Sequence, residues 1–447
     1  MLNAAVLILF FALLGVMILG KREYMYVSVL AGVVVFPTCV YFVQKPQLSP
    51  QQAFVYLFFA FVVFRCFDEF KEALLKIPVL VPLFCLAISL MFSAYASGEG
   101  GKGLYNAARY FMENYSFWVI AFFGGFFYKD LKLEDRFAYP ALILLVLGLM
   151  ESVLGQNYIF KIICSAFPYY DGYYDLNGFV SASRSYRSRI FITTIHPTTL
   201  GAMLCCSLVF LLCFIKKQGE DKNKMLVTWG MLFLLVVLSG SRTGLACTLL
   251  GIAVYAFMKM KIGAKIICIV ALFFAVSYYA QSVIEKLSVE GQGSSLTLRQ
   301  EQLLFSYLHF AKSPIFGNGV RYTSKYVMER DTYNDRVTND EIGGLESVIF
   351  FQLIDYGLVG LASYLLLYII AFIYFFRRRD FVYARAGLLI TVSFFAFACL
   401  SGEIGGNNSF AYLLMGFCMG ATYTHEKEMD ELESDEKPEE LTKEEAE

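Results

Sequence analysis

Four separated places in the chain carry residues whose chemistry is at odds with their apolar surroundings. Arg189 precedes His196-Pro197. Arg242 lies in Ser239-Gly240-Ser241-Arg242-Thr243-Gly244. Arg299 is followed by Pro314-Ile315-Phe316-Gly317-Asn318-Gly319, with Arg321 just beyond, and Glu346-Ser347 opens a long apolar run. Arg242 is the sharpest case, because the apolar runs Met225–Leu238 and Leu245–Met258 flank it with almost no loop. Its guanidinium therefore sits at, or just inside, a membrane surface. A charge there costs about 2.5–3.5 kcal/mol on insertion scales and usually has a partner or a task. Guanidinium presents a planar fork to phosphate that lysine does not reproduce. Several arginines at one surface thus form a receiver for an anionic group, and a carboxylate such as Glu346 among them is placed to act as a base. Each arginine alone has a plainer reading, as a helix cap, a snorkelling side chain or half of an ion pair. Their common sidedness favours a joint role.

Such a set needs a membrane scaffold to hold it. The 447-residue chain is 58% hydrophobic and 17% charged, with a mean hydropathy of +0.57. Soluble domains are roughly 45–50% apolar and about 25% charged, so the composition predicts an all-α, polytopic membrane helix bundle. Spanning helices need about 17–25 mostly apolar residues. Thirteen runs are candidates: 3–20, 24–43, 51–67, 78–95, 112–128, 138–155, 196–215, 225–240, 243–259, 264–281, 346–376, 385–401 and 407–423. The run 346–376 is long enough to tilt or to continue beyond the bilayer, and 407–423 is short.

Connections after odd-numbered spans carry nineteen basic residues, Lys21, Arg22, Lys216, Lys217, Arg377 and Arg378 among them. The four short connections after even-numbered spans carry only Lys45, Lys102, Arg109 and Arg242. The positive-inside rule then places the odd connections in the cytoplasm and the N-terminus outside. Arg242 falls on the outer face, where orientation gives no reason for a basic residue. The first apolar run lacks a basic leader and a convincing cleavage site, so it reads as a retained helix. Of eleven cysteines only Cys164 lies clearly in an external connection, and neither a disulfide framework nor a CxxC site is expected.

The predicted organisation is one membrane domain, 1–423, with external insertions at about 156–195 and 282–345, followed by an acidic cytoplasmic tail, 424–447, expected to be disordered. The first insertion is crowded with aromatics. Tyr170, Tyr173 and Tyr174, beside Asp171 and Asp175, offer ring faces and hydrogen bonds suited to sugars, or alternatively an interfacial aromatic belt. The second insertion opens with Gly291-Gln292-Gly293-Ser294-Ser295. A helix is predicted from Leu296 to Lys312, with Leu304, Phe305 and Leu308 at helical spacing, lying on the membrane surface or covering a cavity. Asp355, nine residues into the long apolar run, should be buried or line a cavity, in a structural or a substrate role.

Taken in chain order, Arg189-x6-His196-Pro197-x3-Gly201, Ser241-Arg242-Thr243-Gly244, Arg299 with the Pro314–Gly319 turn, and Glu346-Ser347-x9-Gly357-x2-Gly360 resemble the O-antigen ligase/polymerase superfamily over about 189–362. The N-terminal third adds only hydropathy. The resemblance implies a GT-C-type glycosyltransferase of the bacterial cytoplasmic membrane, acting on undecaprenyl-pyrophosphate-linked oligosaccharide at the outer face. Arg189, Arg242 and Arg299 would engage the pyrophosphate, and Arg321 is grouped with them. His196 and the three tyrosines would contact sugar. No metal or other cofactor is implied, and the sequence offers only His196, His309 and His425 as histidines. Ligases of the superfamily tend to carry a histidine where the long external loop meets the next helix, whereas polymerases often carry an acidic residue. Glu346 at that place turns the expectation towards a polymerase with Glu346 as base, and Asp340, Glu341 and Glu403 as substitutes. Glu346 is also compatible with a helix N-terminal acid favoured by the macrodipole.

The implied partners are the lipid-linked oligosaccharide, the bilayer and a chain-length regulator, with no nucleic acid. A ligase that moves glycan to lipid A core or to protein is the nearest alternative. A lipid-linked glycan transporter would predict basic residues within spans and an internal repeat. Here the charges sit mainly at helix ends and no repeat is evident. A non-catalytic assembly protein would use the external loops to bind a partner.

Overall fold

A computed structural model of the chain describes residues 2–41, 43–44, 47–98, 100–167, 183–184, 187–215, 220–267, 270, 295–323, 347–402 and 407–444. The protein is an all-α polytopic membrane protein. In lipid only closed hydrogen-bonding patterns survive, so long apolar runs become helices. The first half contains α1 (Leu2–Leu19), α2 (Arg22–Val35), α3 (Pro50–Arg65), α4 (Phe67–Lys76), α5 (Leu80–Ala96), α6 (Gly100–Asn114), α7 (Phe117–Phe126), α8 (Tyr128–Leu131), α9 (Ala138–Leu154) and α10 (Tyr158–Ala166). The second half contains α11 (Pro197–Leu212), α12 (Glu220–Ser239), α13 (Arg242–Lys259), α14 (Ser295–Phe310), α15 (Val348–Arg377), α16 (Val382–Leu400) and α17 (Asn407–Glu444). Two short antiparallel pairs, Val43–Gln44 with Gln47–Leu48 and Ser183–Arg184 with Arg187–Ser188, are the strands among the described residues.

Each expected span has a helical counterpart except 264–281, most of which lies outside the described residues. Among the described residues four helices are long and apolar enough to cross a membrane: Leu133–Leu154, Lys222–Ser239, Val348–Arg377 and Val382–Leu400. The pair α4 and α5, bent by 92°, makes a fifth if it counts as one span. Two expected boundaries move. The second span ends at Val35, because Pro37 forces Phe36 into extended backbone. The run 112–128 is divided at Tyr115-Ser116 into polar α6, with Arg109, Glu113 and Asn114, and apolar α7. The short last run is the centre of the bundle, with Ala411 to Met415 all fully buried. Where charge predicts a disordered tail, α17 continues to Glu444, and Arg378 pairs with Glu426 at 2.8 Å beside its course.

Small residues permit the closest helix contacts. A Cβ on Gly125 would stand 2.2 Å from the Phe417 carbonyl oxygen, and one on Gly420 would stand 2.2 Å from that of Phe122. α7 and α17 therefore meet backbone to backbone.

The decisive irregularity is in α15. Gly357 has φ 66° and ψ −163°, which breaks the helix within its apolar run. The Pro314–Gly319 turn enters this break. Leu358 N donates to Pro314 O at 2.9 Å and Val359 N to Ile315 O at 3.2 Å. In return Asn318 N donates to Ile354 O and Gly319 N to Asp355 O, both at 3.1 Å, and Asn318 Nδ2 adds a bond to Ile354 O at 2.8 Å. The fit requires glycine on both sides: a Cβ on Gly317 would stand 2.3 Å from Asp355 O, and one on Gly357 2.4 Å from Ile315 O. Gly317→Ala should therefore destabilise the protein by at least about 1–3 kcal/mol, through a disfavoured φ and a clash with backbone. Thermal unfolding of purified protein should show a lowered Tm, whereas Gly230→Ala, at a position open to space, should not.

Candidate functional site

The site is built on a non-helical segment, Arg189 to His196, laid along the end of the bundle that the charge count assigns to the outside. Buried Glu151, near the end of α9, accepts hydrogen bonds from Phe191 N at 3.1 Å and Ile192 N at 2.9 Å. Ile192 has φ 52°, an unusual value for a β-branched residue. Asn157, which caps α10, holds the same residue by donating to Ile192 O at 2.7 Å. Thr193 Oγ1 donates to Val34 O of α2 at 2.6 Å. The segment is thus fixed to three helices before it reaches His196.

Its first residue meets the turn between α12 and α13. Arg189 Nε donates to Ser239 O at 3.2 Å, and a Cβ on Gly240 would stand 3.2 Å from Arg189 Cγ and Nε. Gly240 has φ 60°, so both the turn and the arginine stem require glycine there. Its last residue caps α11: His196 Nδ1 accepts from Thr198 N at 3.1 Å, and Pro197 takes the first helical position. One turn later α11 crosses the same turn at van der Waals limits, since a Cβ on Gly201 would stand 2.5 Å from Ser241 Oγ. Ser241 caps α13 by accepting from Gly244 N at 3.1 Å. The spaced elements Arg189, His196-Pro197, Gly201 and Ser241-Arg242-Thr243-Gly244 are therefore one packed unit.

Arg242 occupies the first position of α13 and is exposed. A cation at the positive end of a helix dipole is unfavourable. Arg189 reaches the turn just before it, where its Nε donates to the last carbonyl of α12. The turn thus presents the exposed Arg242 beside the N-terminal amides of α13, an arrangement suited to an anion. Against Thr193 and Thr194 of the Arg189–His196 segment lies an apolar cavity of about 340 Å³. Thr193 and Thr194 line it at the arginine segment, and α2, α9, α11 and α12 wall it through residues such as Leu30, Leu144, Leu204 and Leu232.

The other expected residues are distributed differently. Arg299 is on α14, with its side chain outside the described residues. α14 turns Gln302, Ser306 and His309 inward and leaves Leu303, Leu304 and Leu308 exposed. The helical spacing was legible, but the apolar edge points away from the protein. Arg321 joins α6: its guanidinium is 3.5 Å from Glu113 and lies over the Tyr110 ring at 5.5 Å. Arg109 also pairs with Glu113. Burial tends to lower the Arg109 pKa, but the hydrogen bond and charge of Glu113 outweigh it and hold the guanidinium above its ordinary value. Asp355 accepts from Thr323 N at 2.8 Å and from the Thr323 hydroxyl. Tyr170, Tyr173, Tyr174, Glu346, Asp340, Glu341 and Glu403 lie outside the described residues.

Glu151 and Asn157, which position the Arg189–His196 segment, were not expected from the sequence. An acid within the run 138–155 was the available signal, since an ionisable side chain in a span rarely lacks a role.

Fold and site together define a polytopic membrane protein in which the segment that carries Arg189 also borders an apolar cavity. Residues 226–365, less than half of the chain, match the family model described as O-antigen ligase. Members are glycosyltransferase-like membrane enzymes, ligases and polymerases, acting on lipid-linked glycans. The matched range covers the Ser239–Gly244 turn, the Pro314–Gly319 turn and the Gly357 break, and starts after Arg189. No curated protein matches the chain.

Removing the Glu151 strap leaves two backbone N–H groups without acceptors, so Glu151→Ala should cost about 1–3 kcal/mol. It should also release Arg189. Lowered glycan output together with a lowered Tm is the expected result, and an unchanged Tm would show that the strap is dispensable.

Proposed function

We propose that this protein is a polysaccharide polymerase that joins undecaprenyl-pyrophosphate-linked repeat units on the outer face of the bacterial cytoplasmic membrane. The observation that carries this reading is that Arg189 and Arg242 both belong to the turn between α12 and α13. The donor's pyrophosphate binds there and its isoprenoid chain enters the apolar cavity. The acceptor hydroxyl oxygen forms a bond to the donor's anomeric carbon as the bond from that carbon to the pyrophosphate oxygen breaks. The hydroxyl proton passes to the Glu346 carboxylate, and lipid pyrophosphate leaves with its electron pair. Arg189, Arg242 and Arg299 stabilise the negative charge that grows on the leaving oxygen, a contribution that is often the largest in catalysis. His196, as the cap that orients α11, and Tyr170, Tyr173 and Tyr174 contact the glycan. The arginines supply the positive charge, so the proposed reaction runs without a metal.

The family description, O-antigen ligase, favours a second reading in which finished glycan moves from the carrier to lipid A core or protein. One experiment separates the two. Arg242→Ala is expressed in a deletion host and surface glycan is resolved on a gel. Loss of a polymerase leaves a single repeat unit on its carrier or core, and loss of a ligase leaves long chains on the lipid carrier. Normal glycan from well-expressed Arg242→Ala would overturn the pyrophosphate assignment. Removing one such donor typically costs about 10²–10³ in turnover. For Glu346, the Gln variant should lose activity to a similar degree, and retained activity would exclude it as an obligate base.

A further inference from the structure

A transfer enzyme needs a second substrate site, and the arginine turn accounts only for the anionic partner. We propose that the polar cavity between α3, α6 and α15 is the binding site for the acceptor's sugar, an inference that rests on the transferase reading above. Its volume is about 270 Å³, and its walls include Gln51, Arg109, Tyr110, Glu113, Arg321 and Asp355. That is near the lower end of the roughly 300–1,000 Å³ of small-molecule sites, a monosaccharide-scale space.

The charge pattern decides the class of ligand. At the α12–α13 turn Arg242 stands at the positive end of a helix, with Arg189 in the same turn. In this cavity Glu113 lies between Arg109 and Arg321, and Asp355 supplies a second carboxylate. A pyrophosphate would meet two carboxylates and cations already paired. A hydrocarbon chain would leave buried polar walls without partners. A neutral, polyhydroxylated ring suits mixed donors and acceptors around an aromatic side chain, because each hydroxyl both donates and accepts.

Position supports the same assignment. α2 links the two sites: its Val34 carbonyl takes the Thr193 hydroxyl of the arginine segment, and about one turn of chain later Thr38 lines the polar cavity. α17 links them again, with Ser409 on the polar cavity and Phe410 on the apolar one. The third link is α15. Phe351 and Asp355 line the cavity from its first turns, and Glu346 immediately precedes the Ser347 cap of this helix. Arg321, expected from its sequence position to serve the pyrophosphate, thus belongs to the acceptor.

The test uses the full chain in nanodiscs and two soluble probes. One is the phosphate-free oligosaccharide released from the producing cell's surface glycan, and the other is inorganic pyrophosphate. Glu113→Gln should weaken oligosaccharide binding about tenfold or more, as expected for loss of a charged hydrogen-bonding group, and leave pyrophosphate binding unchanged. Arg242→Ala should do the reverse. Retained pyrophosphate binding shows that the Glu113→Gln protein is folded. Should that variant fail to fold, Arg321→Gln, altering an exposed side chain, should give the same pattern. Unchanged oligosaccharide affinity in a folded variant, or loss of pyrophosphate binding with it, overturns the assignment. A wild-type protein that binds pyrophosphate but no oligosaccharide overturns the acceptor site alone. One that binds neither overturns the transferase reading as well.

Discussion

The structure depends on how α15 survives a break inside an apolar run. A helix interrupted at Gly357 leaves backbone N–H and C=O groups without partners, and in a bilayer no water is available to receive them. Each such group costs on the order of a few kcal/mol when buried unpaired. The Pro314–Gly319 turn supplies both kinds of partner at once, carbonyls for Leu358 and Val359 and amides for Ile354 and Asp355. Neither element is self-sufficient. The exchange fixes the middle of the second external segment against the bundle, and with it Arg321 and Thr323, so that Asp355 is held at the wall of the polar cavity.

The arginine site is held by a comparable device of different chemistry. Here an acid does what the turn does in α15. Glu151 gathers two backbone amides of a segment with a strained Ile192, while Asn157 and Thr193 fix its other groups. The segment ends in a histidine whose ring caps a helix, and that helix crosses the α13 start at a glycine. The position of Arg189 over Gly240 therefore follows from buried hydrogen bonds and close packing.

How much of this was legible in the sequence varies with the kind of interaction. Helix positions followed from apolar run length, since membrane helices have little alternative. The union of Arg189, Gly201 and Arg242 was legible as ordered motifs on one side, although no spacing rule says that they touch. The partnership of Pro314–Gly319 with Gly357 was hidden, because backbone complementarity across some forty residues leaves no side-chain signature beyond the glycines. Arg109 was only a charge in a count, and Glu113 was taken into a span. Their polarity stops α6 from joining α7, and it is the same polarity that makes the cavity. The spacing of Leu304 and Leu308 showed a helix, but periodicity does not say whether an apolar edge meets protein or lipid.

That last point bears on how the molecule can be divided. α14 buries Gln302, Ser306 and His309 against the bundle and presents Leu303, Leu304 and Leu308 outward. An ordinary water-soluble domain has the opposite arrangement. Excised from its surroundings, this segment would lose the partners of its polar side and expose its leucines to water, a recipe for aggregation. α14 is consequently not part of a soluble module carried on a membrane base. It is a continuation of the membrane structure, and the protein has to be studied as one piece in a lipid-like setting.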